Sequence, residues 1–230
     1  FLPFAERALA AVRDGRSAVS GLMSGENGGV SLAIVGTLAD SHLAWILRRF
    51  AAQNPGVEVR LRTANSREVS NLVRSGEATL GLRYYADNST DLVCRVIASE
   101  PLHIVAAPDH PLVGRKRLSA RTLKQQKWLG FPAEDSAPES AGAVLRRTLA
   151  SAGLLDVDIT VVDSLTAQKR LAEAGFGLAL LPVSSVREEM QRGSLARVVV
   201  GKIAPTDPIA AVHRRGGFLS PAAETLLQIG

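Results

Sequence analysis

VSLAIVGTLADSHLAWILRRFAAQNPGVEVRLRTANSREVSNLVRSGEATLGL, residues 30–82, decides the fold. It opens on a short apolar strand, Val30 to Val35. A helix follows, with Leu43, Ile46, Leu47 and Phe50 on one face at helical period. Thr37 stands three residues ahead of Asp40, capping-box spacing, which makes Thr37 the expected cap of that helix. Asn54-Pro55-Gly56 ends it, and Val57 to Leu61 alternates as a second strand. Asn65 with Glu68 repeats the capping-box spacing ahead of a helix carrying Val69, Leu72 and Val73. Gly76 stops this helix, and Thr79 to Leu82 forms a third strand. The order is β-α-β-α-β, the unit of a parallel sheet covered by helices.

Upstream, Leu2, Ala5, Leu9, Val12, Arg16, Val19 and Met23 recur three and four apart, the spacing of a helix that packs on another helix. Such a helix of about 22 residues is roughly 33 Å long. The glycine-rich break Ser24 to Gly29 separates it from the rest. It is therefore expected to lie outside the globular body and to pair with a second chain. Phe1 is not a start residue, so the sequence reads as a piece of a longer one.

Downstream, Asp91 to Ala107 is nearly continuous strand, and Pro101 is expected to divide it in two, with a domain crossing there. A second series follows. Helices are expected near Leu118 to Gln125, Pro138 to Ala152, Leu165 to Ala174 and Val183 to Gln191. Strands are expected at Trp128 to Phe131, Ile159 to Val162 and Gly177 to Leu181. Ile209 to His213 is a further strand, and Ser220-Pro221 opens a last helix with serine as cap and proline at its first position.

Composition narrows the function. The 230 residues are 46% hydrophobic, enough for a substantial core, and no stretch has the length of an apolar membrane span. Cys94 is the single cysteine, which excludes an internal disulfide or a thiolate metal cage; in its strand context it reads as a small buried hydrophobe. The net charge of +5 is spread over scattered arginines and lysines with only 4% aromatics, so these residues read as solvated faces and not as a nucleic-acid surface. Nucleophile-elbow, phosphate-loop and zinc-helix motifs do not occur. Gly175-Phe176-Gly177 follows a helix and lacks a third glycine, so it is a stop and turn. His42, His103, His110 and His213 have no partner at ligand spacing, and Glu188-Glu189 lies on a polar helix face. No catalytic residue, metal ligand or cofactor is assigned.

A ligand-binding reading remains. In parallel α/β units ligands sit at the carboxyl ends of strands, where helix N-termini present free N–H groups. The loops so placed are 36–39, 65–67, 83–84, 131–136 and 164–166. The candidate contacts are Thr37, Leu38, Ala39, Asn65, Ser66, Arg67, Arg83, Phe131, Ser136 and Thr166. Their hydroxyls, an amide and two arginines suit a small anion, an organic acid in particular. Thr37, Asn65 and Ser164 would cap helices whether or not a ligand binds.

The order of these pieces resembles the LysR-type transcriptional regulators. A helix followed by GGVSLAIVGTLA (residues 28–39) is similar to their linker helix and first strand. FAAQNPGVEV (50–59), LVRSGEATLGLR (72–83), EPLHIVAAPDHPL (100–112) and AGFGLALLP (174–182) match further signatures in the family's order. Thr79 departs from the acidic residue common at its position. The resemblance covers essentially the whole chain. It implies two Rossmann-like α/β subdomains of periplasmic-binding-protein type II architecture, joined by two crossing strands near 99–101 and 206–209 and preceded by a dimerisation linker helix. The implied division is 1–27 for the linker helix, 28–99 with 208–230 for subdomain I, and 100–207 for subdomain II.

It further implies an effector held between the subdomains, with Thr37 and the Asn65-Ser66 loop among its contacts, and allosteric control of transcription in the cytoplasm. The implied partners are a second copy in a homodimer or homotetramer, RNA polymerase, and promoter DNA. The DNA would be reached through a winged helix-turn-helix outside this sequence; no membrane is involved. Two rivals share the architecture. A transporter's solute-binding protein would carry an export signal and no leading helix, and a small metabolic enzyme would need a convergent acid-base set.

Overall fold

The computed structural model describes residues 2–23, 29–115, 118–133, 140–200 and 205–229. In chain order the elements begin with α1 (Leu2–Met23), β1 (Val30–Val35), α2 (Ser41–Gln53), β2 (Val59–Ala64), α3 (Ser66–Arg74) and β3 (Leu80–Tyr84). There follow β4 (Leu92–Ala106), α4 (Ala120–Lys124), β5 (Lys127–Gly130), α5 (Ala141–Ser151), β6 (Asp158–Val161) and α6 (Leu165–Glu173). The chain closes with β7 (Leu178–Pro182), α7 (Val183–Arg192), β8 (Ala196–Arg197), β9 (Thr206–Arg214) and α8 (Pro221–Ile229). These form two compact units, residues 1–99 with 208–230 and residues 100–207. The chain passes between them inside β4 and again inside β9.

In the first unit the strands lie in the order β2-β1-β3-β9. β1 runs parallel to β2, from Val30 opposite Val59 to Val35 opposite Ala64, and parallel to β3; β9 is antiparallel to β3. Strand alternation divides the core. Val30, Leu32 and Ile34 point to one face, where Leu43 and Phe50 of α2 and Ala222, Ala223 and Leu226 of α8 cover them. Ala33 points to the other, against Val69, Leu72 and Val73 of α3. Gly81 lets α3 settle there: a Cβ at this position would lie 2.7 Å from a methyl of Val69 and 2.5 Å from one of Val212.

The second unit repeats the plan with strands β4-β7-β5-β6 and the short β8 on β4. β5 is parallel to β6 and β7, while β4 is antiparallel to β7. Trp128 and Leu178 fill one face and Leu129, Ala179 and Leu181 the other. α7 begins at a proline that offers no side-chain cap, and the Glu100 carboxylate accepts from the Ser184 N–H instead, at 2.9 Å.

Three details correct the sequence reading. Pro101 does not divide β4, which runs unbroken for 15 residues. Its pairing with β7 begins at Leu102, so the N–H that proline lacks is not called on by that ladder. Asp40, not Thr37, caps α2, accepting from the Leu43 N–H at 2.8 Å; Thr37 lies in a 3-10 turn, Gly36–Leu38. Finally, one side of α1 is seated on the first unit. Ala10 is buried against Gly76, whose missing side chain and positive φ of 73° permit the approach. Asp14 pairs with Arg214 and accepts from the Phe218 N–H at 3.2 Å, and Arg13 donates to the Ser75 carbonyl. The apolar stripe at Leu9, Val12 and Val19 nevertheless stays exposed, each more than half accessible. Residues 24–28 of the glycine-rich break lie outside the described residues.

Candidate functional site

The carboxyl ends of β1, β2 and β3 bring several expected residues together. The 3-10 turn after β1 buries the Thr37 side chain, and its hydroxyl donates to the phenol oxygen of Tyr84 at 3.1 Å. Because Asp40 has taken the capping task, Thr37 is available to face the end of β3. Leu38 is buried beside it, and the exposed Ala39 closes the turn by donating its N–H to the Gly36 carbonyl at 3.2 Å. Asn65 caps α3 in a complete capping box: its side chain accepts from the Glu68 N–H at 2.9 Å, and the Glu68 carboxylate accepts from the Asn65 N–H at 3.1 Å. Ser66 is buried and donates to the Tyr84 carbonyl at 3.4 Å. Arg67, one residue on, is exposed.

Arg83 is placed differently from its neighbours. It is only 3% exposed, and its guanidinium lies within unit 1 against Ser70 at 2.6 Å, Asp87 at 2.9 Å and the Tyr84 carbonyl at 3.3 Å. Asp87 is shared with Arg74 at 2.9 Å, and Arg74 also reaches Asp91 at 2.9 Å and Ser89 at 2.7 Å. Two arginines and two aspartates thus balance one another. Burial alone would raise the Asp87 carboxyl. Hydrogen bonds from Ser89 and Ser70 and the charge of Arg74 outweigh that effect and hold it far below the usual carboxylate range. The cluster ties residues 85–91 to α3. Its i,i+4 arginine–aspartate spacing was visible in the sequence; the inward turn of both side chains was not.

Tyr84, within the 83–84 loop but not among the candidate contacts, and Tyr85 join the functional candidates. Tyr84 touches both Thr37 and Ser66. Tyr85 has φ of 58°, a left-handed conformation costly for a bulky residue, and its N–H is held by the Pro208 carbonyl at 2.8 Å. The signal for both is the pair of aromatics at the carboxyl end of β3.

In the second unit, Phe131 follows β5 and packs partly buried on the cluster of Leu129, Ala172 and Leu181. Thr166 is exposed in the first turn of α6, which Ser164 caps by accepting from the Ala167 N–H at 3.3 Å. Ser136 lies outside the described residues. The His103 imidazole is pushed down by burial and by the charge of Arg197, and its Nδ1 is buried without a partner. His110 is pushed down by burial, and its Nδ1 accepts from the Leu112 N–H at 3.2 Å. Cys94 is a free, half-buried thiol whose sulfur accepts from the Asp87 N–H at 3.3 Å. Among the described residues no group of three or more His, Cys, Asp or Glu side chains could hold a metal, and no helix is long and apolar enough to cross a membrane.

Comparison with known proteins identifies the family. The family model described as the LysR substrate binding domain matches residues 24–229. The transcriptional regulator CitR of Bacillus subtilis is 24% identical over 198 residues, 86% of this chain and 66% of the relative. The chain spans about two thirds of the length of the curated relatives it matches. Among solved structures, the regulatory domain of Synechocystis PCC6803 CcmR in complex with 2-PG aligns with a TM-score of 0.75 at 21% identity, covering 87% of this chain and 94% of that one. The effector binding domain of QuiR in complex with shikimate aligns with a TM-score of 0.73 at 14% identity, covering 88% and 94%. Both likenesses concern the fold.

Proposed function

Because the chain belongs to the family of LysR substrate binding domains, we propose that it is the effector-sensing and oligomerising part of a transcriptional regulator and that its effector is a small organic acid. The observation that carries this reading is the buried hydroxyl pair of Thr37 and Tyr84 at the carboxyl ends of β1 and β3. It stands beside Ser66 and the N-terminus of α3. A carboxylate there would take over from the Tyr84 oxygen the hydrogen bond that the Thr37 hydroxyl donates, and would accept from backbone N–H groups in the field of a helix N-terminus. Arg67 lies exposed on the first turn of α3 and adds positive charge. The solved neighbour in complex with shikimate supports the small-acid part of the reading.

The regulatory step is allosteric. Effector binding biases the states available to the units linked through β4 and β9, and a coupling of about 1–3 kcal/mol suffices to change promoter occupancy. DNA contact is the task of a region outside these residues, and the exposed side chains of Leu9, Val12 and Val19 on α1 are the surface for a second copy. The regulators named above lend no support to a transporter's solute-binding protein or to an enzyme.

A thermal-shift screen of carboxylic acids against neutral analogues, followed by calorimetry on Thr37→Val, tests the proposal. Acids should raise the melting temperature. Thr37→Val should weaken the best acid about tenfold, the worth of one hydrogen bond to a charged group, while leaving the fold intact. Stabilisation by neutral compounds alone would reject the acid, and undiminished affinity in Thr37→Val would reject the site.

A further inference from the structure

We propose that the first unit carries a second anion site, in the groove between α1 and the edge strand β2, suited to a small molecule bearing two linked phosphoryl groups. The groove is open to solvent and offers about 560 Å³, within the range of small-molecule sites, about 300–1,000 Å³. It lies toward the amino ends of β1 and β3, where Ser31, Leu32 and Ala78 line it, away from the carboxyl-end loops of the effector site.

Its charge follows from two sequence spacings. Arg13 and Arg16 are three apart on α1 and therefore share a helix face. Arg60 and Arg62 are two apart on β2 and therefore share a strand face, roughly 7 Å from one another. Four guanidiniums thus line one groove from two sides, and Glu77 is the one carboxylate among its described lining residues.

Existing partners match half of this charge. Glu77 is 3.2 Å from Arg62, and Glu58, at the rim, holds Arg60 through two bonds of 2.9 and 2.8 Å. These are solvent-exposed pairs that an incoming anion can exchange. Arg13 donates to a carbonyl, which leaves its charge uncompensated. Arg16 has no hydrogen-bond or ion-pair partner among the described residues. Even with both glutamates counted, two positive charges remain over a floor that includes the buried Leu32 and Leu72.

Guanidinium forks match phosphoryl oxygens bidentately, and arginine pairs on two facing elements call for two anionic centres in one molecule. A lone phosphate supplies one anionic centre for the two walls. A diphosphate supplies one centre for each, and binding it would tie the leading helix to the unit.

Isothermal titration of the 230-residue chain with inorganic pyrophosphate and with orthophosphate tests this. Saturable pyrophosphate binding, tighter than orthophosphate, is expected. Arg16→Ala with Arg60→Ala should weaken it about 100-fold, tenfold for each charged hydrogen-bonding group lost. Arg121→Ala with Arg187→Ala removes the same charge from exposed positions of the second unit and should leave it unchanged. Thr37→Val should also leave it unchanged, which separates this site from the effector site. Absence of saturable pyrophosphate binding, equal affinity for orthophosphate, or an equal loss in the second-unit pair would overturn the proposal.

Discussion

Arg83→Met removes a guanidinium that is 3% exposed while keeping most of its aliphatic volume. The variant strands Ser70 without its donor and deprives Asp87 of one of its two arginines. Deleting one partner of a buried ion pair costs about 3–5 kcal/mol. Asp87 keeps Arg74 at 2.9 Å and its Ser89 contacts, so the loss should fall nearer about 2–3 kcal/mol. For a domain of this size that lowers the melting temperature by about 4–12 °C. Differential scanning fluorimetry and urea titration read the stability, and calorimetry with the best acid reads binding separately. Affinity corrected for the folded fraction should change far less than stability. If the melting temperature moves by less than about 1 °C while effector binding collapses, Arg83 is an effector ligand, and the assignment of its charge to Asp87 is refuted.

The acid limb of stability should belong largely to the same cluster. Asp87 titrates below its unfolded value of about 3.9, so its contribution is complete above that pH and drains away as pH falls through the lowered folded value. Asp87→Asn should therefore flatten the loss of stability below about pH 4 in urea titrations, whereas an unchanged slope would assign acid lability elsewhere. Gly81→Ala should lose about 1–3 kcal/mol by equilibrium unfolding, because the added Cβ meets Val69 and Val212 at 2.7 and 2.5 Å. A neutral outcome would mean that α3 shifts freely on the sheet.

The parallel core was legible because its signals are local. Alternation of Val30, Leu32 and Ile34 against Ala33 fixes which helix covers which face, and the boxed Asn65 and Glu68 mark the start of α3. Ser164 and Ser220 likewise cap where their positions suggest. Competition between local signals was not legible. Thr37 and Asp40 both fit a cap, and only the fold shows that Asp40 takes it while Thr37 reaches Tyr84, 47 residues away. Pro101 reads as a breaker until its strand partner is known to start one residue later. Val57 reads as strand, yet it packs on the core before β2 begins at Val59. On α1 the apolar stripe dominates the pattern, so the seat made by Ala10, Arg13 and Asp14 reads as the solvent side. The identity of their partners at Gly76, Ser75 and Arg214 is tertiary information. The inward course of Arg83 was hidden for the same reason.

The lacing of residues 85–91 onto α3 bears on redesign. At the proposed effector site these ion pairs brace the backbone, so side chains there could be exchanged without rebuilding loops. Substitutions at Tyr84, Tyr85 and Thr37 that spare Arg74, Arg83, Asp87 and Asp91 make a compact library for retuning the proposed effector site.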